Sequence, residues 1–382
     1  MKRKILYVCP FTEIGGVETF VKQTHLYSDS TQFENHYLLF RSGPASKFLL
    51  EKGARVTLLK TPPQIFSWKD HQMVNQQIRE QINKNKIDLV HSLGAKGALF
   101  SATAAKQMDV PHVWFQYYPS GTLDRLAALC PHHGLVVTSH FAAQRQRDFE
   151  KSVRWLIQRK LPIEKILLGT DLKPLEPARI LAERAKILSS LGIDDENNLC
   201  LISMLGQIHP RKGIEVLLTA LQELKERHPL LNIRALIFGS AKGQEKYKNK
   251  LQKWIDQHQL PAHFMGISEN VGLSHSACDM YVNSCIQPEA FSHSLIEAMA
   301  MGTPPIVPDI GALQEVIQNG ENGLIFRTGD PSSLANRLCS LIQEKSLRQK
   351  LATKAQETVS FRHDCAKTME HLEQFYQKIF AL

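Results

Sequence analysis

No stretch of this 382-residue chain approaches the ~20 consecutive apolar residues that a membrane-crossing helix requires. The first apolar run, residues 5–9, is also too short for the core of a secretory signal. It reads as a buried strand, despite the basic Met1-Lys2-Arg3-Lys4 ahead of it. Cysteine offers no framework either. The seven residues at 9, 130, 200, 278, 285, 339 and 365 are odd in number, scattered and never spaced C-x-x-C. That argues against disulfides and a thiolate metal site, and for a reducing cytoplasm in which most of them are small core residues. Low-complexity tracts and strong internal repeats are missing, as is a basic-aromatic cluster that would suit nucleic acid. The G-x-G-x-x-G fingerprint of a nicotinamide dehydrogenase is absent too: neither Gly15-Gly16 nor Gly239-Ser240-Ala241-Lys242-Gly243 supplies it.

What is present describes a globular protein, with 43% hydrophobic and 22% charged residues. The length exceeds what one hydrophobic core usually supports, so two domains are expected. The net charge of +9 is unevenly placed: residues 1–170 hold 23 Lys/Arg against 13 Asp/Glu, a balance of +10, and the remainder holds 23 against 24. A basic first half suits an anionic membrane surface or a lipid-linked phosphate, with simple solubility as the plain alternative.

Short apolar runs alternate with amphipathic stretches, the pattern of a parallel sheet flanked by helices. In the first half, residues 5–9, 37–40, 56–59, 89–91, 113–115 and 135–137 read as strands, and 16–28, 71–83 and 96–107 as helices. The alternation restarts with strands at 199–205, 233–238, 263–265, 280–283 and 305–307, and an edge piece at 323–326. Helices fall near 214–227, 244–257, 269–276 and 292–301. The stretch 364–380 reads as a last helix with Leu372, Phe375, Tyr376 and Phe380 on one face.

The most informative segment runs from Glu289 to Gly302, E-A-F-S-H-S-L-I-E-A-M-A-M-G. A helix beginning near Ser292 turns its free N–H groups back toward Glu289, and such an end attracts phosphate oxygens. A carboxylate beside an anion site suits neutral hydroxyls instead, so phosphate with sugar or ribose hydroxyls is the ligand this pairing fits. An amphipathic helix with a Glu at each end is the plain alternative.

This segment resembles the E-x-F-G-x-x-x-x-E-A-M-A-x-G-x-P signature of glycosyltransferase family 4, the retaining sugar-nucleotide-dependent enzymes. Ser292 stands where the family has Gly. Residues 206–213, G-Q-I-H-P-R-K-G, resemble the family's G-R-L-x-x-x-K-G loop. The resemblance gives Lys212 the diphosphate, while Gln207 replaces the usual Arg and Arg211 is the candidate for the second charge. Gly15-Gly16 after the first strand resembles G-G-v-e and implies close approach to the donor. Asp88-Leu89-Val90-His91 resembles D-v-v-H and implies that His91 faces the cleft. Residues 166–174, with Gly169 and Asp171, resemble the N-G-v-D hinge. In the place of a further family His stand Gln116 or Tyr117, neither a near-neutral base, with Ser139 nearby as a weaker acceptor-side candidate.

The implied fold is α/β of the GT-B kind: two Rossmann-like, doubly wound domains facing across a cleft, with a last helix crossing back to the first. The expected boundaries are 1–170, 171–360 and 361–382. The implied reaction is retaining transfer of a hexose-type sugar from an NDP-sugar to an acceptor hydroxyl. Glu289, Lys212 and His91 are the catalytic candidates. Donor binding falls to Gly15, Gly16, Gly206, Gln207, Arg211, Lys212, Gly239, Glu289, Phe291, Ser292, His293, Ser294 and Glu297. Glu289 would orient sugar hydroxyls and Glu297 the ribose diol. No D-x-D-like pair stands where a metal could bridge the diphosphate, so neither metal nor cofactor is expected. The expected partners are a nucleotide sugar, a glycan or lipid-linked acceptor of envelope polysaccharide synthesis and, peripherally, the cytoplasmic membrane face. A sugar-nucleotide epimerase of the same architecture and a non-catalytic sugar-nucleotide binder are the rival readings.

Overall fold

The computed structural model describes residues 2–10, 16–117, 121–153, 161–194 and 196–382. The chain divides into two compact units, one made of Met1–Gly169 with Cys365–Leu382, the other of Thr170–Asp364.

The first unit is built on a seven-stranded sheet. Its strands are β1 (Arg3–Cys9), β2 (Phe33–Leu39), β3 (Arg55–Leu58), β4 (Leu89–Leu93), β5 (His112–Phe115), β6 (Gly134–Val137) and β7 (Ile163–Lys165). All pair in parallel, in the order β3-β2-β1-β4-β5-β6-β7. The central strands are buried over residues 5–9, 89–93 and 134–137, which explains their mostly apolar sequences. The last helix, Cys365–Phe380, completes this unit. Leu372, Phe375 and Tyr376 are buried as their spacing implies, joined by Met369 and Ile379. Phe380 is only half-buried, under the Arg3 guanidinium at 4.6 Å. Tyr376 carries its hydroxyl into the core, 3.0 Å from that of Tyr7.

The second unit holds a six-stranded sheet: β8 (Cys200–Leu205), β9 (Ile233–Phe238), β10 (Ala262–Gly266), β11 (Met280–Val282), β12 (Pro305–Pro308) and β13 (Leu324–Phe326). These too are parallel, ordered β10-β9-β8-β11-β12-β13. From β8 the chain winds outward through β9 to β10, then returns to the other side of β8 with β11. The crevice at the carboxyl ends of β8 and β11 is therefore the switch point, where doubly wound sheets take their ligands.

The crossing segment begins at Cys365 rather than at 361. The preceding helix, Lys345–Arg362, still belongs to the second unit, because Ala355 and Val359 are buried in the same cluster as Met299 and Leu295. The strand β7 and the helices Pro44–Glu51, Thr122–Ala128, His140–Ser152, Pro177–Ser190, Leu313–Val316, Pro331–Gln343 and Lys345–Arg362 are elements that the sequence pattern alone did not mark.

Candidate functional site

Four loops of the second unit converge at the switch point. After β8, residues 206–209 lead into a single 3₁₀ turn, Pro210–Lys212, and then the helix Ile214–Arg227. The loop is tied to the one after β9 by Gly206 N to Phe238 O at 3.0 Å and Ile208 N to Ser240 O at 2.9 Å. It is tied to the loop after β11 by Ile286 N to Arg211 O at 3.0 Å and by the Ser284 hydroxyl, which donates to Lys212 O at 3.1 Å. The fourth loop carries Gly311, whose Cα would place any added Cβ 2.7 Å from Glu289 O. Ala312 N donates to that same oxygen at 3.0 Å.

Glu289 stands at the centre of this arrangement and is 7% exposed. Its Oε1 accepts from Lys212 Nζ at 2.5 Å and Arg211 Nη1 at 3.3 Å, and its Oε2 from Asn283 Nδ2 at 3.2 Å. Burial alone would raise its pKa, but the Lys212 ammonium, its hydrogen bond and the Arg211 guanidinium outweigh that and hold the carboxyl below its usual range. Glu289 is thus a carboxylate, and it occupies the two cations that the sequence assigned to a diphosphate. With Gln207 exposed and uncharged, the three ionised groups together carry one net positive charge.

The helix His293–Ala300 starts beside them, and the amides of its first turn have no partner within the helix. Ser292 is buried at its N-cap, receiving Asn283 Nδ2 at 3.4 Å, and Ser294 Oγ lies 2.8 Å from the Tyr281 hydroxyl. Phe291 meets the His293 ring edge-on with centroids 5.0 Å apart. Neither His293 nitrogen has a hydrogen-bond partner among the described residues, and burial followed by the charge of His363 pushes its pKa down to about 4. One turn on, Glu297 is pushed up to about 7 by burial and by the neighbouring Asp171 carboxylate. Glu289, Arg211, Lys212, Gly206, Gly239, Phe291, Ser292, His293, Ser294 and Glu297 all belong to this second unit, and Arg211, Lys212, Asn283, Glu289 and Ser292 are joined by direct contacts.

The sequence pattern did not single out Asn283, Ser284 and Gly311. Asn283 was legible in principle, as a polar residue closing a buried strand. Gly311 was not, because its importance lies in its distance to Glu289.

In the first unit the outcome differs. The sequence resemblance has His91 facing the cleft. It is instead wholly buried on β4, its ring 5.3 Å from Tyr7, 6.1 Å from Phe115 and 5.6 Å from Tyr376, with Nδ1 bonded to the Tyr376 hydroxyl. Burial pushes its pKa down to about 3, which keeps the ring neutral in this core. Gln116 is buried as well and turned to Gln146, 3.2 Å away. Tyr117 lies over Phe115 at 4.4 Å. The Ser139 hydroxyl is used as a helix cap, accepting from Ala142 N at 3.1 Å. Gly16 opens the helix Gly16–Leu26, and Gly15 lies outside the described residues.

The sequence of the second unit matches a known family over residues 183–358, described as glycosyl transferases group 1. That stretch, a little under half of the chain, is similar to a group 1 glycosyltransferase domain. A phosphatidyl-myo-inositol mannosyltransferase of Mycobacterium leprae (strain TN) is 30% identical over 172 residues, which is 44% of this chain and 44% of that relative. The alignment thus spans under half of the relative's length. Two solved structures align with nearly the whole chain. A glycosyltransferase from Rickettsia africae ESF-5 has a TM-score of 0.83 at 20% identity, covering 99% of each chain. Anabaena HepE in complex with UDP and glucose also scores 0.83, at 21% identity, covering 98% of this chain and 100% of that one. At such identities the likeness is one of fold, and the fold is GT-B. The group 1 domain contains every ionised group of the crevice, Lys212, Arg211 and Glu289 included.

Proposed function

We propose that this protein is a retaining, metal-independent glycosyltransferase that moves a hexose-type sugar from an NDP-sugar to a hydroxyl of a lipid-linked or glycan acceptor. The observation that carries the reading is the meeting of Lys212, Arg211 and Glu289 with the open end of the helix His293–Ala300 at the switch point. Fixed amides and a cation match a diphosphate, and the carboxylate matches hydroxyls, so the crevice fits both halves of a nucleotide sugar. The UDP and glucose held by Anabaena HepE, and the mannosyltransferase name of the Mycobacterium leprae relative, agree with that ligand class.

In the reaction, the bond from sugar C1 to the diphosphate oxygen breaks and the acceptor oxygen bonds to C1 from the same face. The acceptor proton passes to the departing phosphate oxygen, so no protein base is required. This mechanism does not need His91. As negative charge grows on the diphosphate, Lys212, Arg211 and the amides of residues 292–294 stabilise it. Lys212 has three N–H donors and can keep Glu289 while turning to phosphate. Glu289 then holds sugar hydroxyls in place, and Glu297 the ribose diol. Supply of envelope glycans at the cytoplasmic face of a membrane is the setting that this acceptor class and the basic first unit favour. No helix of the described residues is long and apolar enough to cross a membrane.

The test is incubation with labelled NDP-sugars, scoring acceptor-dependent transfer against binding alone. A saturating donor at 100 times its dissociation constant is expected to raise stability by about 2.7 kcal/mol, read as a thermal shift that finds the base and sugar. Transfer is expected to persist in EDTA. Abolition that Mg²⁺ or Mn²⁺ reverses would overturn the metal-free mechanism, and binding without transfer to any acceptor would favour a sugar-nucleotide binder.

Glu297 gives the site a pH signature. Its folded pKa of about 7 lies above the ordinary value of 4.5, so its protonated form contributes stability below 4.5 that is lost as pH rises through 7. Ribose binding needs the carboxylate, so NDP affinity is expected to rise over the same range in which the free protein loses stability. Glu297→Gln should flatten both trends, measured by calorimetry and by melting. Parallel trends of equal sign in parent and variant would remove Glu297 from the ribose.

A further inference from the structure

An exposed pair of aromatic side chains stands out in the first unit. Phe66, on the loop after β3, and Trp68, the first residue of the helix Trp68–Asn85, are 85% and 77% exposed. Their neighbours Pro63 and Ile65 turn inward, so the loop has an apolar side already buried and leaves these two outside it.

Local structure does not account for them. Ser67 caps the helix, accepting from Asp70 N at 3.2 Å. Phe66 therefore holds the position before the cap, which ordinarily packs on the fourth helical residue. That residue is His71, and its ring stacks instead on Phe100 at 4.2 Å. The loop is also pinned in place: Gln64 N donates to Asp70 Oδ2 at 2.7 Å, His71 Nε2 pairs with Ile65 O at 2.6 Å, and Lys96 Nζ donates to Pro63 O at 2.8 Å. A backbone so held cannot fold the two rings inward, and they remain in water.

Three exposed basic residues, Arg41, Lys60 and Lys69, stand on the same end of the sheet. Lys60 follows β3 and Arg41 follows β2, each two residues beyond the last paired positions, Leu58 and Leu39, so the two stand side by side. Lys69 follows Trp68 directly, and Arg41 lies near enough to Lys96 for their repulsion, after burial, to lower the lysine's pKa. Arg41, Lys60 and Lys69 are exposed and make no ion pair among the described residues, and the adjacent Asp70 is bonded within the loop. All of this lies at the carboxyl end of the sheet, the end where a doubly wound domain meets its ligands.

We propose that Phe66 and Trp68 insert into the interfacial zone of an anionic membrane while Arg41, Lys60 and Lys69 contact its phosphates. Aromatic rings favour the headgroup boundary and basic residues favour anionic lipid, so the two groups reinforce each other on one surface. Attachment there brings the ligand end of the first unit to the leaflet. The inference sharpens the lipid-linked part of the reading above, and it is tested without transfer so that either can fail alone.

The full-length protein is sedimented with phosphatidylcholine vesicles with and without phosphatidylglycerol. The expected result is binding at low salt to the acidic vesicles only. Phe66→Ser/Trp68→Ser is expected to lower the partition coefficient by about tenfold or more. Arg41→Gln/Lys60→Gln/Lys69→Gln is expected to abolish the preference for acidic lipid. Both variants change exposed side chains, so they should melt and bind NDP as the parent does, and loss of either property would mark a misfolded variant. An aromatic variant that folds and binds like the parent, or a parent that ignores acidic vesicles, overturns the proposal. A dimer seen by light scattering that the aromatic substitutions dissolve would assign the surface to a second copy and overturn it equally.

Discussion

Glu289→Gln is expected to reduce transfer by on the order of 10²–10³ while NDP affinity does not fall. In the proposed site the carboxylate orients sugar hydroxyls, and it already pairs with the two cations, so its neutralisation costs an oriented contact but releases Lys212 and Arg211. The complementary change has a different signature. Lys212→Ala leaves a carboxylate that is 7% exposed with only Arg211 and Asn283 beside it. Removing one partner of a buried ion pair costs about 3 kcal/mol or more, and Arg211 keeps this case at the low end. NDP affinity should also fall, and transfer should fall further than binding because charge grows as the bond breaks. The double variant is the sharper test. It strands no buried carboxylate, and the Arg211 side chain that loses Glu289 is 26% exposed, so it should regain most of the lost stability without regaining activity. Additive losses in urea unfolding would mean that the pair does not act as a unit.

Gly239→Ala is expected to be the most disruptive small change in the second unit. The backbone there has φ +149, and an added Cβ would lie 1.8 Å from Gly206 O, a distance that no side-chain motion relieves. The collision pushes on the loop that carries Arg211 and Lys212. A loss of about 3 kcal/mol or more is expected, together with loss of donor binding in whatever fraction remains folded. Gly243→Ala provides the control. It too has positive φ, +76, but nothing lies within 4 Å of its added Cβ. That substitution should cost roughly 1–2 kcal/mol and leave donor affinity alone. Equal melting temperatures for the two variants would show that the approach of Gly239 to Gly206 is not a fixed part of the fold.

Which parts were legible follows from how each is encoded. Fully buried parallel strands announce themselves as apolar runs, and Ile233–Phe238 and the helix Ile214–Arg227 fall where the pattern places them. Short or half-exposed elements such as Ile163–Lys165 and Pro177–Ser190 carry no such run and were missed. Spacing also located Lys212, Glu289 and the helix end between them, because loop lengths at a switch point tie sequence distance to spatial distance. It could not show that Glu289 already occupies both cations, which depends on where side chains turn. His91 illustrates the same limit from the other side. A histidine near a strand's end looks the same in sequence whether it points at a ligand or, as here, at Tyr376. The exposure of Phe66 and Trp68 was likewise invisible, since one aromatic before a cap normally packs inward.

The return of the final helix to the first unit also has a consequence for synthesis. Residues 1–169 emerge from the ribosome long before Cys365–Phe380, yet Tyr7, Phe33 and His91 complete their packing only against Tyr376. Thr170–Asp364 has its own sheet and core and can close as soon as it is made. Folding would then run out of chain order, the middle first, while the opening segment waits with an uncovered apolar seam. During that interval the nascent chain presents the surface that chaperones recognise, and the final eighteen residues, 365–382, end it.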